Sequence, residues 1–105
     1  MSLIKVDQAK LANGIKEQMR GAVQEHIDAT AQSRGYENGF TLAGYTSSTV
    51  PEWQAEAHAF VGWRDGVWLF VYDLLDQIKN GQAQPPETVE ALINSLPEIQ
   101  WQDEE

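Results

Sequence analysis

The sequence predicts an all-α domain occupying residues 1–105, a three-helix array with a long first helix, a central tryptophan-rich helix and a short third helix. Three observations carry this expectation. Apolar residues recur every third or fourth position over two long stretches, the period of a helix and not of a strand. Turn-forming residues cluster between those stretches, around 35–48 and 80–86. A chain of 105 residues has room for one hydrophobic core and little more.

The first helix is placed at residues 7–33, where Leu11, Ile15, Met19, Val23 and Ile27 recur every fourth residue with Ala12 and Ala22 beside them. Four residues turn 400°, so the stripe drifts by ~40° per step and winds obliquely across the helix surface. Such a helix is ~40 Å long, whereas a compact chain of this size has a radius of gyration of ~13 Å. Its far end needs cover, and self-association through the first helix is the expectation; a kink at Gly14 or Gly21 is the alternative.

Residues 34–48 read as a connection, rich in the Gly, Asn, Ser and Thr that favour turns and caps. Phe40 and Leu42 alternate with Thr41 and Ala43, the pattern of a short extended stretch, but a lone strand has no partner, so the segment is expected to wrap over the core. Thr49-Val50-Pro51-Glu52 reads as a capping box that starts the second helix. That helix is placed at 50–79 and ends at Asn80-Gly81.

Its apolar face carries Trp53, Ala57, Phe60, Val61, Val67, Trp68, Val71, Leu74, Leu75 and Ile78. Trp63, Leu69 and Phe70 fall off that face, so from Phe60 to Leu75 the helix is apolar nearly all round and is expected to be covered on several sides. Gly62 and Gly66, four apart, leave a lane for the backbone of another helix. A third helix at 86–96 follows Pro85-Pro86, with Val89, Leu92, Ile93 and Leu96 at helical spacing. The tail, 97–105, holds Ile99 and Trp101 to fasten it and ends in a frayed Asp103-Glu104-Glu105.

Sixteen acidic residues against seven basic ones give a net charge of -9, which opposes nucleic acid and anionic membrane as partners. The longest apolar run, Gly66 to Tyr72, is far short of the ~20 residues that span a bilayer. No export signal is legible at the N-terminus, and the chain lacks cysteine, both of which suit the cytoplasm.

No enzyme is expected. His26 and His58, the two histidines, lack the i, i+4 or Glu-x-x-His spacing that places metal ligands on one helix face. Glu52 and Glu56 share a face but have no nucleophile or anion clamp beside them, and read as a solvated first turn. Ser47-Ser48-Thr49 has no assignable base and serves capping. The segment from Gly35 to Gly44 lacks the lysine and spacing of a phosphate-binding loop. Hence no metal and no cofactor is expected.

The cluster Trp63-Arg64-Asp65-Gly66-Val67-Trp68 is the candidate site. Arg64 lies three or four residues from Phe60, Val67 and Trp68, which puts a charge on the apolar face where it needs partners. One reading has Arg64 anchoring the 35–48 connection through carboxylates or carbonyls; the other makes Trp63, Arg64, Asp65 and Trp68, with Tyr45, an anchor for a protein partner.

The pattern Gly35-Tyr36, Tyr45-Thr46-Ser47, Glu56-Ala57, Trp63-Arg64-Asp65-Gly66-Val67-Trp68, then Leu96-Pro97 and Trp101, covers about two-thirds of the chain and resembles small proteins of the tail-gene region of tailed bacteriophages. Phage tail assembly chaperones are similar through an Arg-Asp helix and a closing Trp-Pro, where this chain has Trp101-Gln102. The resemblance implies a non-enzymatic tail-associated accessory protein, cytoplasmic in the bacterial host or virion-associated. It would act as an assembly chaperone or connector holding another protein, such as a tail or tail-fibre component. The alternative is an acidic mimic of DNA that inhibits a nucleic-acid-binding enzyme.

Overall fold

In the computed structural model, residues 8–101 are described, with side chains from residue 14 onward. They form four α-helices and no strand: α1 (Gln8–Ser33), α2 (Gly39–Ala43), α3 (Pro51–Lys79) and α4 (Val89–Ser95), with a 3-10 turn over Gly44–Ser47 between α2 and α3. Asp7, the side chains of Leu11 and Ala12, and the tail residues 102–105 lie outside the described residues.

The two long helices end alike. After α1 the amide of Gly35 donates to the Gln32 carbonyl and that of Tyr36 to the Ala31 carbonyl; after α3 Gly81 donates to Ile78 and Gln82 to Gln77. This pairing satisfies the last carbonyls but requires a left-handed residue, supplied by Gly35 at φ 89° and Gly81 at φ 74°. Both glycines therefore fix where the chain turns.

The expected stripe on α1 is the buried row Met19, Val23 and Ile27, continued by Ala31. It meets Ala57, Phe60, Trp63, Val67 and Val71 of α3, with Leu42 of α2, Leu92 of α4, and Leu96 and Trp101 beyond it closing the core. Arg34 pairs with Glu56, and eight residues back along α1 His26 packs on Trp63, seven residues forward along α3. The long helices thus run antiparallel. Among the described residues no polar or charged side chain is buried.

Elongation is marked: the molecule measures 63 × 24 × 20 Å and its radius of gyration is 16.9 Å. α1 runs without a break through Gly14 and Gly21. The link at Pro85-Pro86 and the start of α4 lie beside Ile15, Gln18 and Met19, covering part of α1 from within the chain.

Three local expectations are corrected. The 34–48 connection is not loop throughout, since it carries α2 and the 3-10 turn: in a helix residues two apart point ~200° apart, so burying Leu42 turns Phe40 out to 90% exposure. Asn38 caps α2, its side chain accepting from the Thr41 amide at 2.8 Å. Thr49 is not the cap of α3; that position is Val50, which has no side-chain bond. Pro51 occupies the first helical position and holds Val50 extended, which leaves Thr49 one residue too early, while Ser48 Oγ accepts from the Val50 amide at 3.0 Å. Lastly, α4 begins at Val89 and not at 86, because Thr88 caps it by accepting from the Ala91 amide at 3.0 Å.

Candidate functional site

Three places bring chemistry-bearing side chains together. The first is the junction of α1, the connection and α3. Tyr36 Oη donates to Glu56 Oε1 at 2.8 Å, and Arg34 Nη1 lies 3.3 Å from Glu56 Oε2. The Arg34 guanidinium carbon sits 4.4 Å from the centre of the Trp101 ring, a cation-π contact. From Tyr36 an aromatic row continues edge-to-face to Tyr45 and on to Trp53. Both Glu56 oxygens are thereby used, so this carboxylate is a structural hub and not part of a solvated first turn.

Burial, and after it the hydrogen bond to Glu56, push the Tyr36 phenol up to about 12. The folded chain therefore holds this proton more tightly than the unfolded one, whose tyrosine titrates near ~10. The associated stability is complete below pH ~10 and falls as pH rises from there towards 12. In an alkaline absorbance titration one of the three tyrosines is expected to ionise late, and Tyr36→Phe to delete that late step. Simultaneous ionisation of all three would contradict the burial of this hydroxyl.

The second place is a cleft of about 370 Å³ between α1, α3 and the tail, lined by His26, Thr30, Trp63, Pro97, Glu98 and Trp101 among others. Two of its polar groups are engaged. Trp63 Nε1 donates to the Pro97 carbonyl at 2.7 Å, and Thr30 Oγ1 to the His26 carbonyl at 2.9 Å. His26 stands edge-on to the Trp63 ring, with centroids 5.7 Å apart. The cleft is the seam that seats the tail on the helices.

The third place is the surface of α3 that faces away from the core. Leu69 is 71% exposed, and Phe70 and Tyr72 are exposed with it; Tyr72 stacks on the half-buried Trp68, ring centres 5.9 Å apart. Phe40 and Trp53 are further exposed aromatics. The expectation that α3 is covered on several sides from Phe60 to Leu75 is corrected: one flank stands open to solvent.

The five sequence-predicted site residues do not converge. Trp63 is buried against the tail, where it belongs to the core. Arg64 does not reach the connection; its Nε and Nη2 donate to Oδ1 of the adjacent Asp65 at 3.1 and 3.0 Å. The anchoring role foreseen for Arg64 is filled by Arg34 through Glu56. Trp68 stacks on the open flank of α3, and Tyr45 stands in the aromatic row near the start of that helix. Trp53, expected in the core, is 46% exposed because it sits in the first turn of α3, at the edge of the covered length.

Asp28 was missed by the sequence reading. Its Oδ1 accepts from the Gly39 amide at 2.9 Å and from Gln24 Nε2 at 3.3 Å, fastening α2 to α1. Eleven residues separate Asp28 from Gly39, so no local pattern announces the contact. Among the described residues no group of three or more His, Cys, Asp or Glu is placed to hold a metal, and no helix is long and apolar enough to cross a membrane. Compared with protein-family models, curated proteins and solved structures, the chain matches none of them.

Proposed function

We propose that this chain is a non-enzymatic protein-binding accessory of a phage or prophage tail, an assembly chaperone or connector acting in the host cytoplasm or on the virion. The observation that carries the binding role is the open flank of α3, where Leu69, Phe70 and Tyr72 are exposed on a helix whose other side builds the core. Adjacent exposed apolar side chains on a chain of net charge -9 leave apolar area for a partner to cover, at ~25 cal/mol per Å². The tail setting rests on the resemblance carried by Trp63-Arg64-Asp65-Gly66-Val67-Trp68 and the closing Leu96-Pro97 and Trp101.

Internal use of carboxylates favours this reading over DNA mimicry. Glu56 serves Tyr36 and Arg34, Asp28 serves Gly39, and Asp65 serves Arg64, so these charges are spent within the fold. Co-expression of the tagged chain with each tail and tail-fibre subunit of the genome that encodes it tests the proposal. One subunit is expected to stay with the chain through size-exclusion chromatography. Separate elution of every subunit would end the tail reading.

A further inference from the structure

We infer that the outward face of α3 receives an amphipathic helix with basic flanks from another protein; this rests on the protein-binding role just proposed and names its partner's chemistry. The face is set by spacing. Leu69 projects ~160° away from each of the buried Val67 and Val71. Residues three, four and seven apart from it share its side of the helix. In one direction these are Gly66, Asp65 and Gly62; in the other, Tyr72, Asp73 and Asp76.

Each part of this face has a use in docking a helix. A side-chain carbon added at Gly62 or Gly66 would meet nothing within 4 Å, so the lane between them is open to a close-lying backbone. Leu69 and Tyr72 supply the apolar contact at the end of that lane. Asp73 and Asp76 are exposed on the same side, with Lys79 one turn beyond Asp76, while Asp65 there is taken up by Arg64. Asp73 is met by a neutral donor, Gln77 Nε2 at 2.7 Å.

An apolar centre bordered by carboxylates fits a helix whose apolar row is bordered by Lys or Arg, and rejects an acidic one. A second copy of this chain is the poorer occupant, because each copy brings a net charge of -9.

The experiment uses the full chain and a fluorescent helical peptide of about four turns, with a row of Leu and Ala bordered by Lys. A second peptide has the same row bordered by Glu. Anisotropy is expected to show binding of the Lys peptide alone, weakened several-fold between ~50 and ~200 mM salt. Leu69→Asp is expected to weaken it about tenfold or more. This variant is the sharp one, since it adds a negative charge and would strengthen a purely electrostatic attraction. Gly66→Leu, which fills the lane while raising helix propensity, is expected to weaken binding with the circular dichroism spectrum unchanged.

Equal binding of the Glu peptide, or undiminished binding by both variants, would overturn the inference. So would a dimer in light scattering that Leu69→Asp dissolves, which would make the occupant a second copy. Retention of a tail subunit by Leu69→Asp would overturn this face and leave the protein-binding role intact. Peptide binding with no tail subunit captured would uphold the face and remove the tail setting.

Discussion

Phe60→Ala is expected to cost about 3–5 kcal/mol of unfolding free energy, a large part of the ~5–15 kcal/mol that holds a typical domain together. Phe60 is fully buried where three helices meet, and its ring tip fills the space beside Gly39. A carbon added at Gly39 would lie 3.1 Å from Phe60 Cζ, 3.2 Å from Ile27 Cγ2 and 3.2 Å from Asp28 Oδ1. Gly39→Ala is therefore expected to cost about 1–3 kcal/mol by crowding. Because the cavity left by Phe60→Ala accepts that methyl group, the double variant should lose less than the sum of the two. Urea unfolding curves for the four proteins measure both effects. A loss below ~1 kcal/mol for Phe60→Ala would mean that α1, α2 and α3 do not close around this ring.

The second large effect is expected at Trp63. Trp63→Ala removes a buried indole shared between α3, His26 and the tail, for about 3–5 kcal/mol. Trp63→Phe separates the two contributions of the side chain. It keeps most of the ring volume and loses the hydrogen bond to the Pro97 carbonyl, for ~1 kcal/mol. Pro97 is exposed, so water can replace the lost donor and the cost stays modest. Both variants should loosen the segment from Leu96 to Trp101 before the helices, seen as faster amide exchange there. Unchanged exchange at Trp101 would show that Arg34 and the apolar contacts hold the tail without the indole.

Local rules made much of the fold legible. The every-fourth-residue stripe gave the buried row of α1 from Met19 to Ile27, and Pro51 and Asn80-Gly81 bracketed α3 to within a residue. What the sequence hid depends on contacts made at a distance. Trp63 is off the main stripe of its helix and is buried because the tail folds over it, which the period of one helix does not report. Glu56 has the spacing of a solvated first turn, yet its partners Arg34 and Tyr36 arrive from 22 and 20 residues away.

Arg64 shows the limit of a helical wheel from the opposite side. Angular position placed it among apolar neighbours, but a long flexible side chain carries its charged head out to the surface. There the adjacent Asp65 suffices as a partner. The candidate docking face was only half visible: Gly62 and Gly66 stood out as a lane, whereas the exposure of Leu69 and Tyr72 followed from where α1, α2 and the tail actually lie.

One side of α3 builds the core and the other stands open; an NMR titration of the isotope-labelled chain with the Lys-bordered peptide tests most directly the proposal that a partner docks on the open side. Amide shifts are expected to move along one line on the outward face, from Gly62 through Gly66 and Leu69 to Asp76, with the buried Val67 and Val71 less affected and the tail undisturbed. Shifts centred instead on Pro97 to Trp101 and His26 would place binding in the cleft beneath the tail and contradict the account.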